Sequence, residues 1–299
     1  MKEFFLIEGS DMSESRKKIN WYPGHMAKTR RQLQDQIRRI DLIMEICDAR
    51  LPYSSRNPEL TALAAGKRHM LFLNKSDLAD PAVSAKWISA FRDEGIEAYL
   101  MNAARLKSKE IISLIDKATK EIVEKALDKG VRKTVKAMIV GIPNVGKSTL
   151  INHLYGRNVS RIGDKPGVTR SNQWVKVSPY LELLDTPGLL WPRLEDQDAA
   201  RRLCYIGSIK DDVIDLYDLT ISLLEDLCLI IPDRVKDRFH IQDTDLKGIE
   251  LLDEVCRGRG WLLKGNQYDY DRCCSVVMDE FRGGKLGRIT MECPEGMND

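Results

Sequence analysis

The stretch GIPNVGKST at residues 141–149 decides the fold of this 299-residue chain. Its first eight residues match G-x-x-x-x-G-K-[ST] at every fixed position, after a short apolar run and before the helical pattern Thr149–Tyr155. Glycines let successive backbone N–H groups turn towards phosphate oxygens, and the positive end of the following helix points at the same anion. The motif therefore predicts a phosphate-binding loop between a strand and a helix.

This loop predicts particular ligands for a nucleoside triphosphate. Lys147 would reach the β and γ phosphates, and the Ser148 hydroxyl would ligate Mg²⁺. The remaining nucleotide-binding candidates in the loop are Asn144, Val145, Gly146 and Thr149.

A second motif, N-K-x-D at residues 74–77, predicts which base is bound. The Asp77 carboxylate can accept hydrogen bonds from both N1–H and the exocyclic amino group of guanine. Adenine has no such donor pair and would leave the carboxylate unpaired. Lys75 belongs to the same motif, and Asn74 would either bind the base edge or brace the phosphate loop. The pair of motifs predicts a GTP site.

Two shorter motifs follow other strand ends. Asn102 and Ala103 resemble the S-A-K motif, whose alanine N–H meets guanine O6, although the Ser and Lys positions are not matched. Residues 185–188, DTPG, fit D-x-x-G. There Asp185 would orient Mg²⁺ through water, and the Gly188 N–H would touch the γ-phosphate.

Thr169 lies between the phosphate loop and D-x-x-G. Its position makes it the candidate for the switch threonine that ligates Mg²⁺ when GTP is bound.

The order of the motifs is rearranged relative to Ras-like chains, in which the phosphate loop comes first. Here the base motif precedes residues 102–103, the phosphate loop and D-x-x-G. Joining the termini of a domain and cutting a surface loop leaves its core intact. The order therefore predicts a circularly permuted P-loop GTPase domain. A γ-phosphate-dependent shift at Gly188 would then act directly on the chain that follows.

Short apolar runs predict an α/β fold with a mixed, mainly parallel sheet. Helical patterns at Val83–Phe91 and Ile111–Leu127 separate the first four runs, as in parallel βαβ units. Ser178-Pro179 splits the last two runs, which predicts a hairpin. The runs are Leu42–Cys47, Met70–Leu73, Ala98–Met101, Ala137–Val140, Gln173–Val177 and Leu181–Leu184.

The remaining chain predicts a smaller, mostly helical domain. Residues 195–232 and 244–258 have helical patterns, and few β-branched alternations occur before Ser275–Met278. The predicted divisions are a flexible N-terminal segment at 1–18, the permuted GTPase domain at 19–191 and the helical domain at 192–299.

Charge and composition exclude several classes of protein. The net charge is only +2, which argues against a chain that coats nucleic acid along its length. Residues 1–189 carry 32 basic and 22 acidic side chains, whereas residues 190–299 carry 15 and 23. No run approaches the roughly 18 apolar residues of a membrane span. The start lacks a secretory apolar core, so we expect a cytoplasmic protein without a membrane partner.

Seven scattered cysteines contain no C-x-x-C pair. This predicts reduced thiols, with neither a disulfide framework nor a zinc site.

Residues 16–39 form a basic segment with a net charge of +7. Met26, Leu33, Ile37 and Ile40 fall near helical spacing, so one face can pack while the other stays positive. Such a face suits an RNA phosphate backbone, although a merely solvated charged face is an equal alternative. A smaller basic cluster comprises Arg257, Arg259, Lys264 and Arg272.

Two further stretches resemble signatures of the bacterial ribosome-biogenesis members of the circularly permuted GTPases. They are NWYPGHM at residues 20–26 and DARLPYSSRNP at residues 48–58. The resemblance implies GTP hydrolysis linked to late assembly of the large ribosomal subunit. It also implies rRNA and ribosomal proteins as partners and a C-terminal helical domain that docks on the particle.

Catalysis needs a group that orients water, and the usual glutamine after D-x-x-G is replaced by Leu189. Intrinsic hydrolysis is therefore expected to be slow. The resemblance places an N-terminal histidine near the nucleotide, which makes His25 the candidate; packing or capping near Pro23-Gly24 is the alternative. The resemblance also associates Asn144 with a bound K⁺, whose charge would do part of an arginine finger's task. The catalytic candidates are His25, Lys147, Thr169 and Gly188.

Leu189 keeps a second hypothesis open, a nucleotide-dependent binding switch or scaffold with negligible turnover. Permuted GTPases of the small subunit often carry a zinc module or an oligonucleotide-binding barrel, and neither pattern is visible here.

Overall fold

The computed structural model describes residues 34–57, 60, 64, 66–156, 173–186, 196–209 and 215–294. Their six strands form one sheet in the order β3-β2-β1-β4-β6-β5. Only the β5–β6 pair is antiparallel. The strands are β1 (Leu42–Asp48), β2 (Arg68–Asn74), β3 (Glu97–Leu100), β4 (Val135–Val140), β5 (Gln173–Ser178) and β6 (Leu181–Asp185).

The predicted mixed, mainly parallel sheet is confirmed, including the hairpin between β5 and β6. All seven residues of β1 are buried, because helices cover both faces of a central parallel strand. This part of the chain includes the helices α1 (Pro81–Asp93), α2 (Ser108–Leu127) and α3 (Lys147–Tyr155).

Alternate residues of β1 pack on opposite faces of the sheet. Leu42 and Met44 share one apolar cluster with Ile111 of α2, whereas Cys47 packs with Trp87 of α1 in another. The two-residue period of a strand therefore places α1 and α2 on opposite faces. The carboxyl ends of β1, β2, β4 and β6 meet at one edge, where ligands of such sheets bind.

Five helices follow the sheet in the described chain. They are α4 (Gln197–Tyr205), α5 (Leu216–Ile230), α6 (Pro232–Phe239), α7 (Gly248–Arg259) and α8 (Tyr270–Arg282). The alternation at Ser275–Met278 forms no strand. It lies inside α8, because Cys274, Val277 and Phe281 recur at helical spacing on a buried face.

One apolar cluster runs without interruption from the sheet into these helices. It includes Val145 of the phosphate loop, Tyr205 at the end of α4 and Phe281 of α8. The predicted division at residues 191 and 192 and the predicted flexible segment at 1–18 lie outside the described residues. Of the helices that the structure describes, none is long and apolar enough to cross a membrane.

Candidate nucleotide-binding site

The phosphate loop occupies the turn from β4 into α3, as the motif predicts. Two of its glycines make close backbone approaches. Gly146 has φ +100°, and a Cβ there would overlap Asn74 Nδ2; Gly141 has φ +152°, and a Cβ there would overlap the Ile46 carbonyl oxygen. Only glycine fits both positions, so the loop is held closely against the ends of β1 and β2.

Lys147, the first residue of α3, is buried beneath this loop. Its Nζ donates to the Gly141 carbonyl at 3.0 Å and the Ile142 carbonyl at 2.7 Å. Burial lowers the pKa of the Lys147 ammonium to about 8, and the neighbouring Asp185 carboxylate partly offsets this effect. A phosphate anion at the loop would, like Asp185, favour the protonated form of Lys147.

Asn74 joins three of the predicted motifs. Its Nδ2 donates to the Val145 carbonyl at 2.6 Å, and its Oδ1 accepts from the Ala103 N–H at 2.8 Å. The side chain is 3% exposed, so both bonds are shielded from water. Residues 74, 103 and 145, which are far apart in sequence, therefore meet at one end of the sheet.

The rest of the N-K-x-D motif follows β2 directly. Lys75 has a left-handed backbone, φ 58°, and its Nζ contacts the buried Asp48 carboxylate at 3.0 Å. Asp77 is exposed, which leaves its carboxylate accessible to a base. The Ser76 N–H donates to the Met101 carbonyl, which ties the motif to the segment containing Asn102.

Oxygen donors for a divalent cation are present at the same edge. Ser148 follows Lys147 in α3, and Asp185 ends β6, the strand next to β4. Asp185 is 1% exposed, and its charge acts on Lys147. Hydroxyl and carboxylate oxygens are ligands that Mg²⁺ accepts, so this donor set fits the ion. Thr149 follows Ser148 in the same helical turn and is half-buried.

Asn144 carries the second left-handed backbone of the site, φ 61°. Its Nδ2 donates to the Gly207 carbonyl at 2.6 Å, just after α4. The Ser208 hydroxyl beside it donates to the Pro143 carbonyl at 2.8 Å. The phosphate loop is thus bonded directly to the helical part of the chain. No motif marks Gly207 or Ser208, so sequence alone did not identify them.

Asp48 and Arg50 are further residues at this edge that received no role from the sequence. Both are buried, and they form an ion pair. Their only signal was their place in the stretch at 48–58. His25, Thr169, Gly188 and Leu189 lie outside the described residues.

Comparisons with known proteins identify the family of this chain. A family model described as 50S ribosome-binding GTPase matches residues 136–255. Ribosome biogenesis GTPase A of Bacillus cereus is 44% identical over 279 residues, which cover 93% of this chain and 94% of the relative. The chain belongs to the ribosome biogenesis GTPase A family. Like the family, it is a GTPase, an enzyme that hydrolyses GTP.

Solved structures extend the family match to the whole fold. A GDP-bound structure of YlqF is 26% identical, with a TM-score of 0.63 over 88% of this chain and 99% of the other. A GNP-bound YlqF from T. maritima gives the same TM-score over 90% and 99%. The fold of this ribosome biogenesis GTPase A member is the circularly permuted P-loop GTPase fold.

Proposed function

We propose that this GTPase acts in late assembly of the large ribosomal subunit. It would bind a precursor of the subunit through rRNA and ribosomal proteins in its GTP state. The particle would activate hydrolysis, and hydrolysis would trigger release. The name of its relatives, ribosome biogenesis GTPase A, and the description of the matching family model, 50S ribosome-binding GTPase, support this proposal.

The observation that carries the nucleotide part of the proposal is the pair of Asn74 hydrogen bonds. They join the N-K-x-D strand end to Val145 of the phosphate loop and to Ala103. A single guanine nucleotide would therefore contact all three motifs. Asp77 would read the base, Lys75 would support it and the Ala103 segment, with Asn102, would flank guanine O6.

The phosphate end of the site would hold the charges. Lys147 and the N–H groups at residues 144–149 would bind the β and γ phosphates. Ser148 and Thr169 would ligate Mg²⁺, with Asp185 acting through water, and the ion would neutralise charge on the phosphates. Gly188 would sense the γ-phosphate.

Two groups would compensate for Leu189, which cannot orient water. We assign the orienting role to His25. The amide oxygen of Asn144 is the atom that would ligate K⁺, since its Nδ2 donates to Gly207.

The basic segment at 16–39 and the helical part of the chain would supply the contacts to the particle. In the described part of that segment, Ile37 is buried while Arg38 and Arg39 are exposed, and Ile40, which follows, is also buried. A positive face would therefore remain available to a phosphate backbone.

Phosphate release with and without purified large-subunit particles tests the enzymatic proposal. Strong stimulation by the particles is the expected result. Absence of stimulation would favour the alternative, a binding switch or scaffold with negligible turnover, which Leu189 keeps under consideration. Lys147→Ala, which removes the phosphate-binding cation, is the control that should abolish tight nucleotide binding.

Cosedimentation tests the switch itself. We expect enrichment on large-subunit particles with a non-hydrolysable GTP analogue and not with GDP. Equal binding in both nucleotide states would contradict nucleotide-controlled release.

A further inference from the structure

A buried ion-pair network lies behind the base motif. Asp48, the last residue of β1, is fully buried, and its carboxylate accepts from Arg50 Nε and Nη2, both at 2.9 Å. Lys75 Nζ contacts the same carboxylate at 3.0 Å. Asp48 thus has two cationic partners, one of which is the lysine of N-K-x-D.

The electrostatics hold this network in its charged form. Burial alone would raise the pKa of the Asp48 carboxyl. Arg50 and Lys75 outweigh burial and lower that pKa well below its ordinary value. The anion therefore persists at neutral pH and fixes the ammonium of Lys75, whose side chain is 27% exposed at the edge of the base motif.

Both the backbone and the long side chain of Lys75 need to be held in place by a neighbouring group. Lys75 adopts a left-handed conformation, φ 58°, which lysine rarely adopts. A long lysine side chain also has many rotamers in solution, and fixing it loses conformational entropy. An anion built into β1 orients the lysine before the ligand arrives.

Arg50 connects the network to α8. Its Nη1 donates to the Phe281 carbonyl at 3.3 Å and to the Arg282 carbonyl at 3.4 Å. Its guanidinium lies 5.3 Å from the centre of the Phe281 ring. These are the last carbonyls of α8, where a cation is favoured by the helix dipole.

We propose that Asp48 is a positioning residue of the guanine site. It holds Lys75 in its ligand-binding orientation, and Arg50 makes that orientation depend on the docked end of α8. The proposal rests on the proposed base-binding role of Lys75, and it deepens that role by adding a buried anion and the helical part of the chain to guanine recognition.

A double-mutant cycle on GDP affinity tests the proposal. The variants are Asp48→Asn, Lys75→Met and the double variant, with dissociation constants measured by titration calorimetry. We expect each single variant to weaken GDP binding about tenfold. If Asp48 acts through Lys75, Asp48→Asn adds less than twofold in the Lys75→Met background.

The possible outcomes separate the two ideas. If the double variant loses GDP affinity by the product of the two single-variant factors, Asp48 does not act through Lys75. That result would overturn the positioning role of Asp48 and leave the role of Lys75 intact. An unchanged GDP affinity in Lys75→Met would overturn both, because Lys75 would then not support the base. A general structural defect does not predict the non-additivity that we expect.

Glu45→Gln is the matched control. Glu45 is also a buried carboxylate of β1, and it pairs with Arg56 and His69 instead of a nucleotide motif. This variant should unfold more easily and keep its GDP affinity. If Asp48→Asn does not fold, Arg50→Lys carries the same cycle, since lysine keeps the charge and loses the two-pronged contact with Asp48.

Discussion

At the scale of single residues, Gly146 has little freedom to change. Its backbone is left-handed, and Asn74 Nδ2 occupies the space that a Cβ would need, so the turn excludes a side chain on both grounds. The turn aims backbone N–H groups at the phosphate site and keeps Val145 within reach of Asn74. One glycine therefore couples the phosphate loop to the base motif.

Gly146→Ala should weaken GDP binding by at least about tenfold, because the added Cβ displaces Asn74 from the loop. Gly156→Ala is a matched control: its φ is +73°, and nothing lies within 4 Å of the added Cβ. That control should lose about 1 kcal/mol of unfolding free energy and keep its affinity. Calorimetric titration and thermal unfolding distinguish the two variants. Equal GDP affinities of the two variants would show that the added Cβ at residue 146 does not disturb the nucleotide site.

Asp77→Asn should exchange the preference of the site from guanine to xanthine. The amide can donate to the C2 carbonyl of xanthine, whereas the carboxylate accepts from the guanine amino group. We expect GDP affinity to fall roughly 100-fold, the equivalent of two charge-assisted hydrogen bonds reduced in strength, and XDP affinity to rise. Competition between GDP and XDP measures the exchange. A variant that still prefers GDP would remove Asp77 from the base site.

At the scale of elements, helices α1 and α2 differ in how their first turns are capped. Asp80 caps α1 by accepting from the Ala82 and Val83 N–H groups. Lys107, at the equivalent position before α2, makes no side-chain capping bond. Helix α1 therefore has a side-chain cap and helix α2 has none, so the effect of capping on stability can be compared within one protein.

Asp80→Ala should lower the unfolding free energy by about 1 kcal/mol, because two N–H groups of α1 lose their acceptor. Lys107→Asp should raise it by a few tenths to about 1 kcal/mol through a new cap and the helix dipole. Denaturant unfolding monitored by circular dichroism checks both signs. If Asp80→Ala is neutral, capping does not limit the stability of α1.

The elements also show how far sequence reasoning reaches. Local patterns predicted all six described strands, because short apolar runs bounded by turn or polar residues mark each of them. They did not identify α6 or α8. In α8 the β-branched residues at 276 and 277 suggested alternation, although burial follows the helical period.

The candidate site was accessible to sequence reasoning only where chemistry is encoded in contiguous residues. The loop at 141–148 and the motif at 74–77 have fixed spacing. Arg50 and Phe281 are 231 positions apart, and no local pattern predicts that pair. The contact of Asn144 with Gly207 was hidden for the same reason.

At the scale of the whole molecule, the last described segment returns to the chain that follows β1 and β2. The Ile289 N–H donates to the Leu78 carbonyl, and the Met291 N–H donates to the Arg50 carbonyl. Trp87 Nε1 donates to the Glu292 carbonyl at 2.8 Å. The C-terminal segment at 286–292 therefore covers the chain that follows the base motif.

Glu292 gives this contact a pH dependence. Burial raises the pKa of its carboxyl, although Arg202 and the Tyr53 and Ser54 N–H groups oppose the rise. A raised pKa in the folded state favours the protonated form. Its stabilising contribution is therefore complete below the ordinary carboxyl pKa and is lost as pH rises through the raised value.

Compared with Glu292→Gln, the wild-type chain should therefore lose relative stability as pH rises from about 4 to 7. Urea unfolding of both proteins across that range measures the difference, and the wild-type values at pH 7 serve as the reference. A difference that is constant with pH would show that Glu292 keeps its ordinary pKa.

The contact between Glu292 and Tyr53 spans 239 positions, and it has a consequence for biosynthesis. During translation the strands of the GTPase core are made before residues 286–292. A nascent chain can therefore hold the phosphate loop before the segment that bonds to Leu78 and Arg50 exists. The chain around the base motif is expected to reach its final packing only after residue 292 has been made.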